Sequence, residues 1–205
     1  MPTGPTDAKP ESGKNGFADM ILSLNSQCQA GEAVTLGDAL DHAGARMHGA
    51  AILLLALPEA LPLPIPSFGA ILGVPLLMTS AHLALFGERG NLPARARQIR
   101  LPQRMLALMT RYFVGPMRRA ERLSQDRLSA LAGRERLVGV VCIALSSLLL
   151  LPIPLMNVPP ALALVILSWG LVQRDGLFVG LGLAIAAAIM ISIVAMTNVV
   201  LDALN

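Results

Sequence analysis

Leu63-Pro64-Ile65-Pro66 returns as Leu151-Pro152-Ile153-Pro154, 88 residues further on, and each copy sits inside a long apolar stretch. Proline lacks the backbone donor and its ring clashes with the preceding turn, so each copy breaks a helix in the middle of an apolar segment. At the same offset Asp38 falls on Asp126, Leu40 on Leu128, Arg46 on Arg134, Leu53 on Val141 and Gly69 on Asn157. With a two-residue gap Leu85-Phe86-Gly87-Glu88-Arg89-Gly90 falls on Leu171-Val172-Gln173-Arg174-Asp175-Gly176, so both units close on a charge pair and a glycine. Apolar segments share a small alphabet and can match by chance. The shared Asp, Arg and terminal charges lie outside the low-complexity part, and the pattern predicts an internal repeat.

Length then decides what each stretch can be. Gly49 to Phe86 is 38 residues and Leu137 to Gln173 is 37, about 57 Å if helical, far too long for one crossing of a hydrocarbon core of about 30 Å. Each reads as a helical hairpin bent at its prolines. In the second, the arms Leu137 to Leu150 and Ala161 to Gln173 reach only about 20 Å each, which predicts a re-entrant hairpin or a thinned bilayer. Non-helical backbone at that depth needs protein or a water-filled cavity around it, so the two tips are expected to meet inside the protein.

From Leu177 to Val200 there are 24 consecutive residues without an ionisable group, enough for a simple transmembrane helix. The buried helix of a soluble protein is the competing reading. Composition argues against it: 54% of residues are hydrophobic and 14% charged, where a soluble domain carries about 25% charged. The chain is therefore expected to be an all-α integral membrane protein, two Pro-broken hairpins forming an internal repeat plus a C-terminal transmembrane helix.

Between Arg89 and Arg136 there are 12 arginines against Glu121, Asp126 and Glu135. The positive-inside rule puts this linker in the cytoplasm. Each hairpin returns to its side of entry, so the N-terminus is expected in the cytoplasm and the C-terminus in the periplasm. The organisation reads as a disordered tail at 1–16, an amphipathic interfacial helix and loop at 17–35, repeat 1 at 36–90, the basic linker at 91–123, repeat 2 at 124–176 and the last helix at 177–205. The tail is Pro, Gly, Thr and Lys rich and no cleavable secretory signal is expected. Phe17, Met20, Ile21, Leu24 and Cys28 form one helical stripe that lies on the membrane or on the rest of the protein. Thr35 and Asp38 resemble a capping box that opens the helix leading through Arg46 into the first hairpin. Leu106, Met109 and Phe113 share a face opposite Arg104 and Arg111. With Arg118, Arg119 and Arg122 beyond them, this predicts an interfacial surface for anionic lipid head groups. Nucleic-acid binding is the other use of a basic segment and is not expected at a bilayer.

No zinc-ligand spacing, phosphate loop or nucleophile elbow is present, so no metal, cofactor or catalytic residue is expected. A Cys28–Cys142 disulfide is not expected either. The polar content of the membrane region is small. Glu59 is the only carboxylate inside either hairpin; it either carries protons, ions or a polar head group, or snorkels to water beside Pro58. Asn157, in the matching region of the second repeat, could hydrogen-bond freed backbone carbonyls. These two residues, with Pro64, Pro66, Pro152 and Pro154, form the candidate polar site. Arg46, Arg134, Arg174 and Asp175 are candidate hairpin-end charges, with Arg174 and Asp175 expected to cap an arm or to pair with each other. His48 and His82, near the ends of the first hairpin, are expected to be interfacial. Along the last helix Gly176, Gly180, Ala184, Ala188 and Ser192 recur every four residues, a strip suited to close helix packing against a hairpin arm or a second copy of the chain.

Several stretches together are similar to the ExoD exopolysaccharide-synthesis family of bacterial membrane proteins. They are Leu61-Pro62-Leu63-Pro64-Ile65-Pro66, Asn91-Leu92-Pro93-Ala94-Arg95, Arg119-Ala120-Glu121-Arg122-Leu123, Leu151-Pro152-Ile153-Pro154 with Asn157 and Pro160-Ala161, and Gln173-Arg174-Asp175-Gly176. The resemblance covers roughly residues 36 to 200, and departs at Pro159, where the family more often has leucine. It implies an inner-membrane protein needed for exopolysaccharide production, with no established catalytic residues to carry over. Two readings stay open: a cavity between paired hairpins that moves an ion, a proton or a lipid-linked precursor, and a non-transporting scaffold or regulator of polysaccharide-synthesis proteins.

Overall fold

A computed structural model describes residues 16–43, 46–61, 68–89, 91–124, 133–151 and 156–204. The Pro64, Pro66, Pro152 and Pro154 breaks, Asp126 and the expected disordered tail before Gly16 lie outside the described residues. Within them the chain is all-helical: α1 (Phe17–Gln29), α2 (Leu36–Ala43), α3 (Met47–Ala56), α4 (Phe68–Phe86), α5 (Ala94–Arg97), α6 (Gln103–Tyr112), α7 (Val114–Leu123), α8 (Glu135–Leu149), α9 (Val158–Gln173) and α10 (Gly176–Leu204). A short 3-10 turn, Gly87–Arg89, follows α4.

The centre is α3. All its residues from His48 to Ala56 are buried, as a helix apolar on every side requires. It packs on α4 and α9, α4 packs on α8, and α8 packs on α9, so the four hairpin arms close a ring. The α4–α8 seam is the tightest contact. A Cβ on Gly139 would stand 2.4 Å from the Ala84 backbone nitrogen, and Leu76, Leu83, Val138, Cys142 and Leu145 fill the rest of the seam without solvent exposure. The Ser80 and Ser146 hydroxyls meet across it at 3.3 Å.

Local signals explain the ends of the elements. The Thr35 backbone N–H donates to Asp38 Oδ2 at 2.8 Å and the Asp38 N–H donates to Thr35 Oγ1 at 3.3 Å, a reciprocal cap that opens α2 as expected. Pro159 and Pro160 stand at the start of α9, where a missing donor costs nothing. That helix closes with Arg174 at φ 54°. There Arg174 N–H donates to the Leu171 carbonyl and Asp175 N–H to that of Gly170, a Schellman closure on a non-glycine residue.

The basic linker differs from expectation. Its apolar face is not laid on lipid: Met105, Leu106, Met109 and Met117 are buried, and α6 and α7 pack on α1. In the same way α1 gives its stripe of Phe17, Met20, Ile21 and Leu24 to the protein, with Phe17 edge-on to Trp169. The physical reason is length. Helices of 10 to 13 residues are marginal alone and gain most by burying their stripes against one another. Arg118, Arg119 and Arg122 remain on the outer surface, and Arg118 pairs with Asp19 at 2.9 Å.

Among the described residues α10 is the one helix long and apolar enough to cross a membrane. At 29 residues it is about 43 Å long. Its first half packs on α9 through Val179, Gly182 and Ala186, all buried, and a Cβ on Gly182 would stand 2.6 Å from Leu167 Cγ. The expected small-residue strip is not this contact. Gly176 is buried, but nothing lies within 4 Å of a Cβ on Gly180, and Ala184, Ala188 and Ser192 are exposed. From Met190 to Ala203 every residue is exposed. A continuous apolar surface of that kind marks a membrane or a partner.

Candidate functional site

The described residues that flank the two proline breaks come together at Glu59 and Asn157. Four residues, Leu57 to Ala60, continue α3 as a buried turn, and Glu59 in that turn is only 8% exposed. The snorkelling alternative is therefore not the arrangement seen. The Asn157 carboxamide lies beside the Glu59 carboxyl and donates through Nδ2 to the Leu149 carbonyl at 3.4 Å. It thus reaches a carbonyl freed where α8 ends, in its own hairpin. Glu59 Oε1 is buried with no partner among the described residues. A buried acceptor left open costs about 1–3 kcal/mol, so this oxygen marks a place where a donor belongs.

Asn157 also lines a cavity of about 710 Å3 between the described residues that flank the second proline break and α10. Leu148, Leu151, Met156 and Pro160 form one wall, and Ile189, Ser192 and Met196 belong to the facing side of α10. Its size is within the range of about 300–1,000 Å3 usual for ligand sites, and an apolar lining with a few convergent polar groups is their usual composition. Chemically, a carboxyl oxygen beside a carboxamide can accept from and donate to hydroxyl groups, while the apolar walls hold a hydrocarbon chain.

The opposite ends of the hairpins carry a second polar constellation that the sequence reading did not assemble. Glu88 accepts from the His48 N–H at 3.0 Å and from the Gly49 N–H at 2.7 Å, so its carboxylate caps the start of α3. The Glu88 N–H donates in turn to Glu135 Oε2 at 2.9 Å, tying the first hairpin to the start of α8. Arg46 Nη1 donates to the Val172 carbonyl and closes the end of α9. His48 is fully buried rather than interfacial, and its Nε2 lies 2.8 Å from Nδ1 of the partly exposed His82. One nitrogen of that contact must donate and the other accept. The available signal was that His48 and Glu88 flank the first hairpin; its closure, which brings them together, is tertiary.

Of the remaining candidates, Arg134 and Arg174 are exposed. Asp175 is buried, with Oδ1 accepting from the Leu177 N–H at 3.0 Å and Oδ2 from the Ser124 hydroxyl at 3.3 Å, so it caps α10. Cys28 and Cys142 are free thiols. No group of three metal-binding side chains occurs among the described residues.

The family description "Exopolysaccharide synthesis, ExoD" matches residues 18–195 of this chain. Over 169 residues the chain is 29% identical to the Protein ExoD of Rhizobium meliloti, covering 80% of this chain and 68% of that protein. Over 170 residues it is 24% identical to an uncharacterized protein of Synechocystis sp., covering 80% of each. No solved structure matches.

Proposed function

Because the chain belongs to the ExoD family of exopolysaccharide-synthesis proteins, we propose that it works in the bacterial inner membrane by handling a lipid-linked precursor where Glu59 and Asn157 meet the cavity beside the last helix. The observation that carries this is the apolar cavity with Asn157 on its wall and the buried, partly unpartnered Glu59 carboxyl beside Asn157. A sugar hydroxyl is the donor that Glu59 Oε1 lacks, and a hydrocarbon tail is what the cavity walls accept. In this reading α10 spans the bilayer from the cytoplasm to the periplasm, and the exposed apolar surface from Met190 to Ala203 supports it. The hairpins are re-entrant repeats that enter from the cytoplasmic side. Arms of 10, 15 and 16 residues in α3, α8 and α9 support this, being shorter than a crossing of about 20 residues, whereas α4, at 19 residues, has the length to cross. So does the ring in which the second arm of each hairpin packs on the first arm of the other.

A scaffold for polysaccharide-synthesis proteins is the second reading, and the filled α4–α8 seam favours it over a continuous path between the hairpins. Gly180 and Ala184, which have no role in the α9 contact, would then join two copies of the chain. Glu59→Gln and Asn157→Leu separate the readings. Precursor handling requires both variants to lose exopolysaccharide complementation, and to lose a glycolipid retained by the purified wild type, at unchanged membrane levels. Full complementation by both variants would leave the scaffold.

A further inference from the structure

A second cavity, of about 660 Å3, lies on the far side of α4, where the linker folds back along the first hairpin. Val74, Pro75 and Met78 of α4 line one side, Ile99 and Met105 of the linker the other, and Arg95 and Arg100 complete the lining. Val74 and Met78 are 52% and 42% exposed, so the floor is apolar surface that no part of the described protein covers. The arginines are held in place by their backbones. Arg100 sits in an antiparallel bridge with Thr35. On either side of it Leu36 N–H donates to the Ile99 carbonyl at 2.8 Å and Leu101 N–H to that of Val34 at 2.9 Å. Arg95 lies in α5, which Pro93 opens.

The neighbouring arginine behaves differently. Arg97 turns to Asp41 and to the Met47 sulfur, whereas Arg95 and Arg100 are exposed and form no ion pair among the described residues. Two fixed cations at one side of a hydrocarbon-lined groove match a molecule with an anionic head and an apolar tail, and arginine suits phosphate because its donors form a planar fork.

We propose that this groove holds one anionic glycerophospholipid of the cytoplasmic leaflet, with an acyl chain along Val74, Pro75 and Met78 and its phosphate at Arg95 and Arg100. The site is separate from the cavity beside the last helix; it shares with the proposed function only the membrane location. A bound lipid here joins the linker to the first hairpin across a surface that protein side chains leave open.

The test uses the full chain purified in detergent, with native mass spectrometry to count retained lipid during titration with phosphatidylglycerol, phosphatidylcholine or the soluble head group glycerophosphoglycerol. One phosphatidylglycerol should be held per chain. Arg95→Gln with Arg100→Gln should weaken it about twenty-five-fold, from roughly fivefold for each arginine at an anionic lipid, with unchanged melting temperature in lipid-free detergent. Arg119→Gln with Arg122→Gln, on the outer face of α7, should change it less than twofold, and Glu59→Gln should leave it intact. The proposal is overturned if phosphatidylcholine is held equally well, if both double variants lose lipid equally, or if the soluble head group competes as well as the lipid.

Discussion

Substituting Gly139 by alanine tests the seam on which the hairpin ring depends. In an ordinary helix Gly→Ala is stabilising by about 1 kcal/mol, because alanine loses less backbone freedom. Here the added Cβ would stand 2.4 Å from the Ala84 nitrogen, 2.7 Å from its Cα and 2.9 Å from the Leu83 carbonyl carbon. All three are backbone atoms of α4, and no side chain can rotate away, so the helices must separate by about 1 Å to reach an ordinary contact. Overpacking costs typically 1–3 kcal/mol, and a backbone clash belongs at the upper end. Set against the helical gain, the net loss is about 2 kcal/mol, or roughly 4–8 °C in melting temperature for a chain of this size. Gly180→Ala is the internal control, since nothing lies within 4 Å of its Cβ, and it should leave stability equal or raised. The assay is thermal unfolding of the purified protein in detergent, followed through tryptophan fluorescence of Trp169. If Gly139→Ala melts at or above the wild type, the seam is not packed as described and the ring argument fails with it.

Two further expectations follow from the ends of the hairpins. Glu88→Gln keeps one acceptor for α3 but removes the charge that faces its N-terminus, and should cost about 1–2 kcal/mol, seen as a melting temperature lower by roughly 2–8 °C; an unchanged value would remove Glu88 as the cap. An alkaline-phosphatase fusion after Asn205 should be active and one after Arg111 inactive, and the opposite pattern at both sites would overturn the expected topology.

The stretch from Leu177 to Val200 needed nothing but its own composition to be read as a helix long and apolar enough to cross a membrane, because its signal is length without charge. Likewise the Thr35–Asp38 cap, the stripe of Phe17, Met20, Ile21 and Leu24, and the helical arms on either side of the proline breaks follow from local rules, since each depends on residues within a turn or two. What those rules could not supply was the partner of each apolar face. The stripe of α1 read equally well as lipid-facing or protein-facing and the linker helices α6 and α7 read as lipid-facing, and only the assembled structure shows these faces spent on one another. The Gly180 and Ala184 strip looked like a packing surface by spacing alone. The contact with α9 instead runs along Val179, Gly182 and Ala186, because the direction from which α9 approaches is set by the Schellman turn at Arg174 and the cap at Asp175. Glu59 and Asn157 were separately visible as polar residues in apolar segments, whereas their meeting, and the pairing of His48 with His82 and Glu88, depend on closure of hairpins whose residues lie tens of positions apart. Sequence records the periodicity and polarity of each segment; which faces touch is decided by the packing of all of them at once.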